Sequence, residues 1–333
     1  MNLPWIESPF FESTLSDKKL NNEETTFCRN YNENGFIILK NLISNENADA
    51  IVLSIDSYFP KEISFETNRN QDLWTSVSSV NDLACHPKIR SILKLLYGRE
   101  SFPFQTLNFK YGSQQKIHSD SIHFSSLPER FMCGVWVALE DTNSENGPLL
   151  YYPKSHKEPI YSYQDIGIST DNPGDGDGLK KGGGYTNYEK YEEFIEKLIS
   201  VKGYQEKELH LSKGDVLIWS ANLLHGGKKV LDVSKTRWSQ VTHYYFEDCV
   251  YLTPMWSNMT THELFLREPK NIFSGKVVQN QMNGKEINKL FAGNSRNFIS
   301  QNVDPSLLKH LSLSELSVIV KDRIKRIFLK YKY

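Results

Sequence analysis

The sequence predicts an α+β chain in which helices pack on a β-sandwich or open barrel. Three observations predict it: a helix-prone stretch up to about Gly98, a switch from about Phe102 to short β-prone runs, and turn signals between those runs. With 333 residues, 39% of them hydrophobic, the chain can bury a large core, and one decorated domain is expected because barrels and sandwiches often exceed 200 residues. Its 17 Tyr, 18 Phe and 6 Trp also provide for an aromatic-lined pocket.

In chain order, Gly35-Phe36-Ile37-Ile38-Leu39 is a short β-prone run. Ser44 suits the N-cap of a helix carrying Ala48, Ile51, Val52 and Ile55, which must stop before Pro60. Pro87 suits the first turn of a second helix, Ile89, Ile92, Leu93 and Leu96 form its apolar stripe, and Gly98 suits its C-terminal cap. The β-prone runs are Phe104 to Tyr111, Phe131 to Leu139, Leu149 to Tyr152, Leu209 to Leu211, Val216 to Trp219 and Trp238 to Phe246. Asn146-Gly147-Pro148 and Lys213-Gly214-Asp215 supply turns between them.

A lid-like insertion spans about 157–207, with a Gly/Asp-rich centre from Asp171 to Gly184 and then a helix through Tyr191, Phe194, Ile195 and Leu198. A calcium loop is disfavoured there, because the twelfth position counted from Asp171 is Gly182 rather than Glu. Residues 1–250 are therefore expected to form the main domain and 251–333 a C-terminal helical extension packed on it, ending in a basic amphipathic helix from Leu313 to Tyr333.

Lys plus Arg number 39 against 40 Asp plus Glu, so no long-range field favours nucleic acid or an anionic membrane, and a small-molecule substrate is the expected partner. Cys28, Cys85, Cys133 and Cys249 are far apart, which speaks against a disulfide framework or structural zinc and for a cytoplasmic chain. Neither a signal peptide nor a membrane span is expected. Oligomeric state leaves no trace in the sequence.

Two of the nine histidines open an H-x-[DE] triplet, His118-Ser119-Asp120 and His156-Lys157-Glu158. Non-haem Fe(II) oxygenases require two imidazoles and one carboxylate on one face, with the remaining positions open. In an extended His-x-Asp both side chains fall on the same side, and a distant strand must bring the third ligand. His118 and Asp120 lie between two strands, and His225 follows the strand opened by Asp215-Val216-Leu217-Ile218-Trp219. His156 sits between Lys154 and Lys157, whose charges repel a cation. Beyond His225, Arg237 opens the next β-prone run, where a guanidinium can grip the distal carboxylate of a dicarboxylic keto acid. His243, on the same run, reads as a satisfied polar residue in or near the barrel.

Several segments together resemble the phytanoyl-CoA dioxygenase family. They are Lys116-Ile117-His118-Ser119-Asp120, Gly134-Val135-Trp136-Val137-Ala138-Leu139-Glu140-Asp141, Glu145-Asn146-Gly147-Pro148-Leu149, Tyr152-Pro153-Lys154-Ser155-His156, and Gly214-Asp215 through His225. The likeness runs in order from about Phe36 to about Phe246. It implies a double-stranded β-helix, the jelly-roll or cupin-like core, on which the N-terminal helices read from their own periodicity are expected to pack. It also implies an Fe(II) triad of His118, Asp120 and His225, with Arg237 anchoring 2-oxoglutarate, Trp136 in the co-substrate pocket wall and His123 in polar contact with the keto acid. The implied reaction consumes O2 and 2-oxoglutarate, releases succinate and CO2, and hydroxylates an unactivated C–H bond of a small molecule. Where the family often has Gly in a turn, this chain has Lys154.

Two other readings use the same fold: a non-catalytic metal- or ligand-binding module, which would not turn over 2-oxoglutarate, and a cupin-like metal isomerase, which would need neither Arg237 nor oxygen. Tyr161, Tyr163, Tyr185, Tyr188 and Tyr191 form an aromatic-rich stretch able to close over a substrate, whose identity the sequence does not specify.

Overall fold

In strand β5 (Met132–Ala138) every residue is buried, yet from Cys133 onward the side chains divide by parity. Cys133, Val135 and Val137 join one apolar cluster and Trp136 and Ala138 another, as the two-residue repeat of a strand requires. A strand covered on both faces lies at the centre of a layered structure, and its neighbours show which layers.

In the computed structural model, residues 3–62, 68–168, 187–258 and 264–287 are described in full, and 289–293 and 296–299 by their backbone. Helices α1 (Phe11–Asp17) and α2 (Asn22–Asn34) precede strand β1 (Phe36–Leu39). Then follow α3 (Asn45–Ile55), β2 (Arg69–Gln71), α4 (Ser78–Ala84), α5 (Pro87–Tyr97), β3 (Ser101–Phe109) and β4 (Ser125–Leu127). After β5 come β6 (Leu149–Tyr151), helix α6 (Tyr188–Lys202), β7 (Lys207–Leu209), β8 (Val216–Ser220), β9 (His225–Gly227), β10 (Ser239–Phe246) and β11 (Val250–Leu252).

Six strands make one antiparallel sheet in the order β1-β8-β5-β10-β3-β2, and three make a smaller one, β7-β6-β9. Phe109, Trp136, Leu217, Trp219 and Val241 of the large sheet share a cluster with Leu149 and Leu209 of the small one, so this is the interior between the sheets. On its other face the large sheet packs against the N-terminal helices through Ile51, Ile55, Val80, Leu93 and Leu96. Helix α6 covers the outside of the small sheet, where Tyr191 and Ile195 meet Leu150 and Tyr152.

The local signals explain the helices. Ser44 accepts the Asn47 N–H as N-cap of α3, Pro87 occupies the first turn of α5, and Gly98 closes α5 at φ 73° with its N–H on Lys94 O. Helix α2 begins with a capping box, Asn21 accepting from Glu24 N–H and the Glu24 carboxylate accepting from Asn21 N–H.

Two expectations are corrected. The run placed at Leu209–Leu211 pairs two residues earlier, at Lys207–Leu209, because Leu211 N–H leaves the ladder for Thr142 Oγ1 at 2.8 Å. The described part of the C-terminal segment is not helical beyond one short 3-10 turn: β11 pairs with β4, and Gln281–Met282 and Lys289–Gly293 form hairpins with Lys285–Glu286 and Arg296–Ile299. The expected helix at 313–333 and the Gly/Asp-rich centre of the insertion lie outside the described residues. Among the described residues no helix is long and apolar enough to cross a membrane.

Candidate active site

His118 and His225 exchange backbone hydrogen bonds, His118 N–H to His225 O at 2.9 Å and the reverse at 3.0 Å, so the two imidazoles stand side by side at the edge of the small sheet. Their ring centroids are 4.5 Å apart. Ser119 is extended and turns the other way, its hydroxyl accepting from Ser121 N–H and donating toward Ala221 O, so Asp120 emerges on the same side as His118. One donor atom from each of His118, Asp120 and His225 lies within 4.8 Å of the others, and all three residues are buried.

Hydrogen bonds assign the donor atoms. His118 Nδ1 lies 2.9 Å from Lys116 O and His225 Nδ1 lies 2.9 Å from Leu223 O, so each Nδ1 carries the proton and each Nε2 presents a lone pair inward. Asp120 Oδ1 is 3.6 Å from His118 Nε2 and 3.8 Å from His225 Nε2. Its other oxygen, Oδ2, accepts the Trp219 indole N–H at 2.9 Å and lies 3.7 Å from His243 Nε2. The donor set therefore fits a divalent metal: two neutral imidazoles, one monodentate carboxylate and an open side.

Electrostatics agree with that composition. Burial pushes His225 down to about 4, against the pull of Asp120, so the ring is neutral at pH 7. Burial also works to keep Asp120 protonated, but the neighbouring His225, His118 and His243 outweigh it and hold the carboxyl far below the usual range. His123 is pushed down to about 3, chiefly by burial.

The triad lines a cavity of about 570 Å³ between the sheets, within the size range of small-molecule sites. Arg237 lies in its wall, 3% exposed, with Nη1 donating to Gly147 O at 3.0 Å. Its Nε is sealed from water, and among the described residues it has no partner and no carboxylate lies within ion-pair distance of the guanidinium. Burial lowers it to about 10, so it remains a cation at neutral pH. A buried cation lacking its anion fits the carboxylate of a bound keto acid. Trp136 also lines the cavity, its ring 5.6 Å from the Arg237 guanidinium. His123, half-buried, contacts Tyr188 Oη through Nε2 at 3.0 Å and reaches the same cavity.

The structure thus gathers all six expected residues around one cavity and keeps His156 elsewhere, buried beneath α2 with Nε2 on Asn32 O. Lys154 adopts φ 74°, which accounts for the glycine often found at that turn. Of the tyrosines expected over the substrate, Tyr188 lines the cavity, whereas Tyr163 and Tyr191 are core beneath α6, Tyr161 binds Glu158, and Tyr185 is outside the described residues. Sequence reasoning missed Trp219, Gln115 and Arg267. Gln115 lies 3.3 Å from His118 Nε2, three residues away in sequence, which was a readable signal. For Trp219 and Arg267 there was none.

Comparison with known proteins agrees with this geometry. The family profile for phytanoyl-CoA dioxygenase matches residues 31–231, more than half of the chain. The peroxisomal phytanoyl-CoA dioxygenases of Rattus norvegicus and Homo sapiens are each 22% identical, with 73% of either chain covered. Among solved structures, the non-heme α-ketoglutarate-dependent epimerase SnoN from nogalamycin biosynthesis shares the fold, with a TM-score of 0.52 at 15% identity over 84% of this chain and 99% of that one. Matching motifs, the jelly-roll pair of sheets and the His-Asp-His cluster lead to one conclusion: the chain belongs to the phytanoyl-CoA dioxygenase family, and it is an Fe(II)- and 2-oxoglutarate-dependent dioxygenase.

Proposed function

We propose that His118, Asp120 and His225 hold Fe(II), that Arg237 binds the distal carboxylate of 2-oxoglutarate, and that the enzyme hydroxylates an unactivated C–H bond of a small molecule. The observation that carries the assignment is the convergence of His118 Nε2, His225 Nε2 and Asp120 Oδ1, each fixed by a hydrogen bond made on the far side of its own side chain. Bound iron, with 2-oxoglutarate and O2, supplies the oxidising power and yields succinate and CO2.

The chain's own residues do the rest. Leu107, Phe109, Trp136 and Val241 keep the co-substrate end of the cavity apolar, which strengthens the ion pair that Arg237 offers. Phe124, Met255 and Trp256 form a second apolar wall beyond His243, where a substrate C–H bond can be held toward the open side of the triad. His123 and Tyr188, joined by a hydrogen bond, supply the polar edge between them. Residues 1–250 are assigned as the catalytic domain, with the segment from 251 contributing wall residues; the four free cysteines support a cytoplasmic location.

The test is an anaerobic titration of metal-free protein with Fe(II) and 2-oxoglutarate, following the weak visible charge-transfer band of the chelate. Wild type should develop the band, H225A should lose it, and R237A should need far more 2-oxoglutarate. D120A should abolish 2-oxoglutarate turnover. Bound metal without a band in wild type would replace this reading with the isomerase or the binding module.

A further inference from the structure

Resting on that reading, we infer that the primary substrate is a small organic acid whose carboxylate docks on Arg267, at the opposite end of the cavity from Arg237. The two guanidinium groups mark different walls. Arg237 packs over Phe109 and Trp136, whereas Arg267 packs over Phe124, 4.7 Å from the ring centroid, and over Phe104 at 5.9 Å. Phe109 pairs with Ser239 at the start of β10, and Gln105 pairs with His243 further along. At about 3.4 Å per residue, that register separates the two ends of the cavity by roughly 13 Å or more. His243, Phe124 and the triad lie between.

Arg267 is held in place by its backbone, not by a charge. Its N–H donates to Tyr251 O at 2.7 Å, its carbonyl accepts from Asn280 Nδ2 at 2.9 Å, and Nη1 donates to Thr253 Oγ1 at 2.9 Å. Nε is sealed from water, and among the described residues Nε has no partner, Nη2 has no hydrogen bond, and no carboxylate lies within ion-pair distance. Contact with two aromatic faces offsets part of the desolvation but supplies no counter-charge. The Nη1/Nη2 edge retains donors for a planar, two-oxygen acceptor, the geometry of a carboxylate.

Charge balance points the same way. Among the described residues Asp120 is the one carboxylate in the cavity wall, and its oxygens already face the metal site and Trp219. The charges of Fe(II), Asp120, Arg237 and the 2-oxoglutarate dianion cancel, which leaves Arg267 and Arg69 in the wall without compensation from any described residue. Arg69 is exposed on the edge strand β2, where water screens it; Arg267 is half-buried with its Nε sealed from water. A substrate anion completes the balance, with its apolar body against Phe124, Met255 and Trp256 and its reactive carbon toward the triad.

The experiment uses full-length protein loaded anaerobically with Fe(II) and 2-oxoglutarate, titrated with matched pairs that differ only in the head group: phenylacetate and phenylacetamide, hexanoate and hexanamide. Readouts are displacement of the chelate band and the melting temperature of the Ni(II)/2-oxoglutarate form. In wild type each carboxylate should bind at least tenfold more tightly than its amide. R267M should erase that preference while the 2-oxoglutarate requirement moves less than threefold, and R267K, which keeps charge but loses the fork, should retain part of it. Equal binding of acid and amide by wild type, no binding of either, or an undiminished preference in R267M overturns the proposal. So does an R267M variant whose 2-oxoglutarate requirement rises as much as that of R237A, because Arg267 would then belong to the co-substrate site. Absence of the chelate band in wild type overturns the underlying oxygenase assignment, a result distinct from all of these.

Discussion

Trp219 donates its indole N–H to Asp120 Oδ2 across 2.9 Å, and this contact selects Oδ1 as the oxygen that faces His118 and His225. Outer hydrogen bonds of this kind typically tune metal affinity by about 10- to 100-fold. W219F should therefore bind Fe(II) or Ni(II) about tenfold or more weakly in a competitive chelator titration. An unchanged affinity would mean that Asp120 is oriented by its backbone alone.

That indole lies where a side chain on β5 would otherwise be. A Cβ built on Gly134 would meet Trp219 ring atoms at 2.1, 2.3 and 2.6 Å, so the ring crosses the strand only because residue 134 is glycine. G134A should force the indole away, lowering stability by about 1–3 kcal/mol in urea unfolding and weakening metal binding in the same direction as W219F. Loss of stability with metal affinity intact would separate packing from ligand orientation.

Removing the buried Arg237 cation leaves a bound dicarboxylate without its partner, a change that costs about 2–5 kcal/mol in comparable sites. R237A should raise the 2-oxoglutarate concentration for half-saturation by at least about 30-fold while leaving Fe(II) affinity within a fewfold of wild type. R237K, with a point charge in place of a fork, should fall between them.

The desolvated imidazoles of His225 and His123 predict an acid-sensitive fold in the metal-free protein. His225 is pushed down to about 4 and His123 to about 3, from an ordinary value near 6.5. Between about pH 6.5 and pH 4 the unfolded chain therefore binds protons that the folded chain refuses, so stability falls as pH falls through that window. The slope is on the order of 1 kcal/mol per pH unit for each such imidazole, readable as a falling melting temperature. Ni(II) should raise the whole curve at pH 7 and lose its effect toward pH 4, as protons compete for His225.

Much of this site was legible because its chemistry is local. His118-Ser119-Asp120 places two ligands on one face whenever the segment is extended, and Ser119 is extended. Pro87 and Gly98 bounded α5 for reasons internal to the helix, and β5, covered on both faces, read as a continuous apolar run. The sequence motifs likewise determined the family, the metal ligands to test and Arg237. What the tertiary structure alone decided depends on residues far apart in the chain. The indole of Trp219 reaches Asp120 only because β5 offers a glycine at the crossing, and Leu211 leaves its ladder for a hydroxyl on Thr142. The cavity face of Arg267 exists only because β11 pairs with β4 and carries the following segment past Phe124. Such contacts have no sequence period, since they are fixed by which surfaces meet when the sheets close and not by the repeat of a helix or a strand.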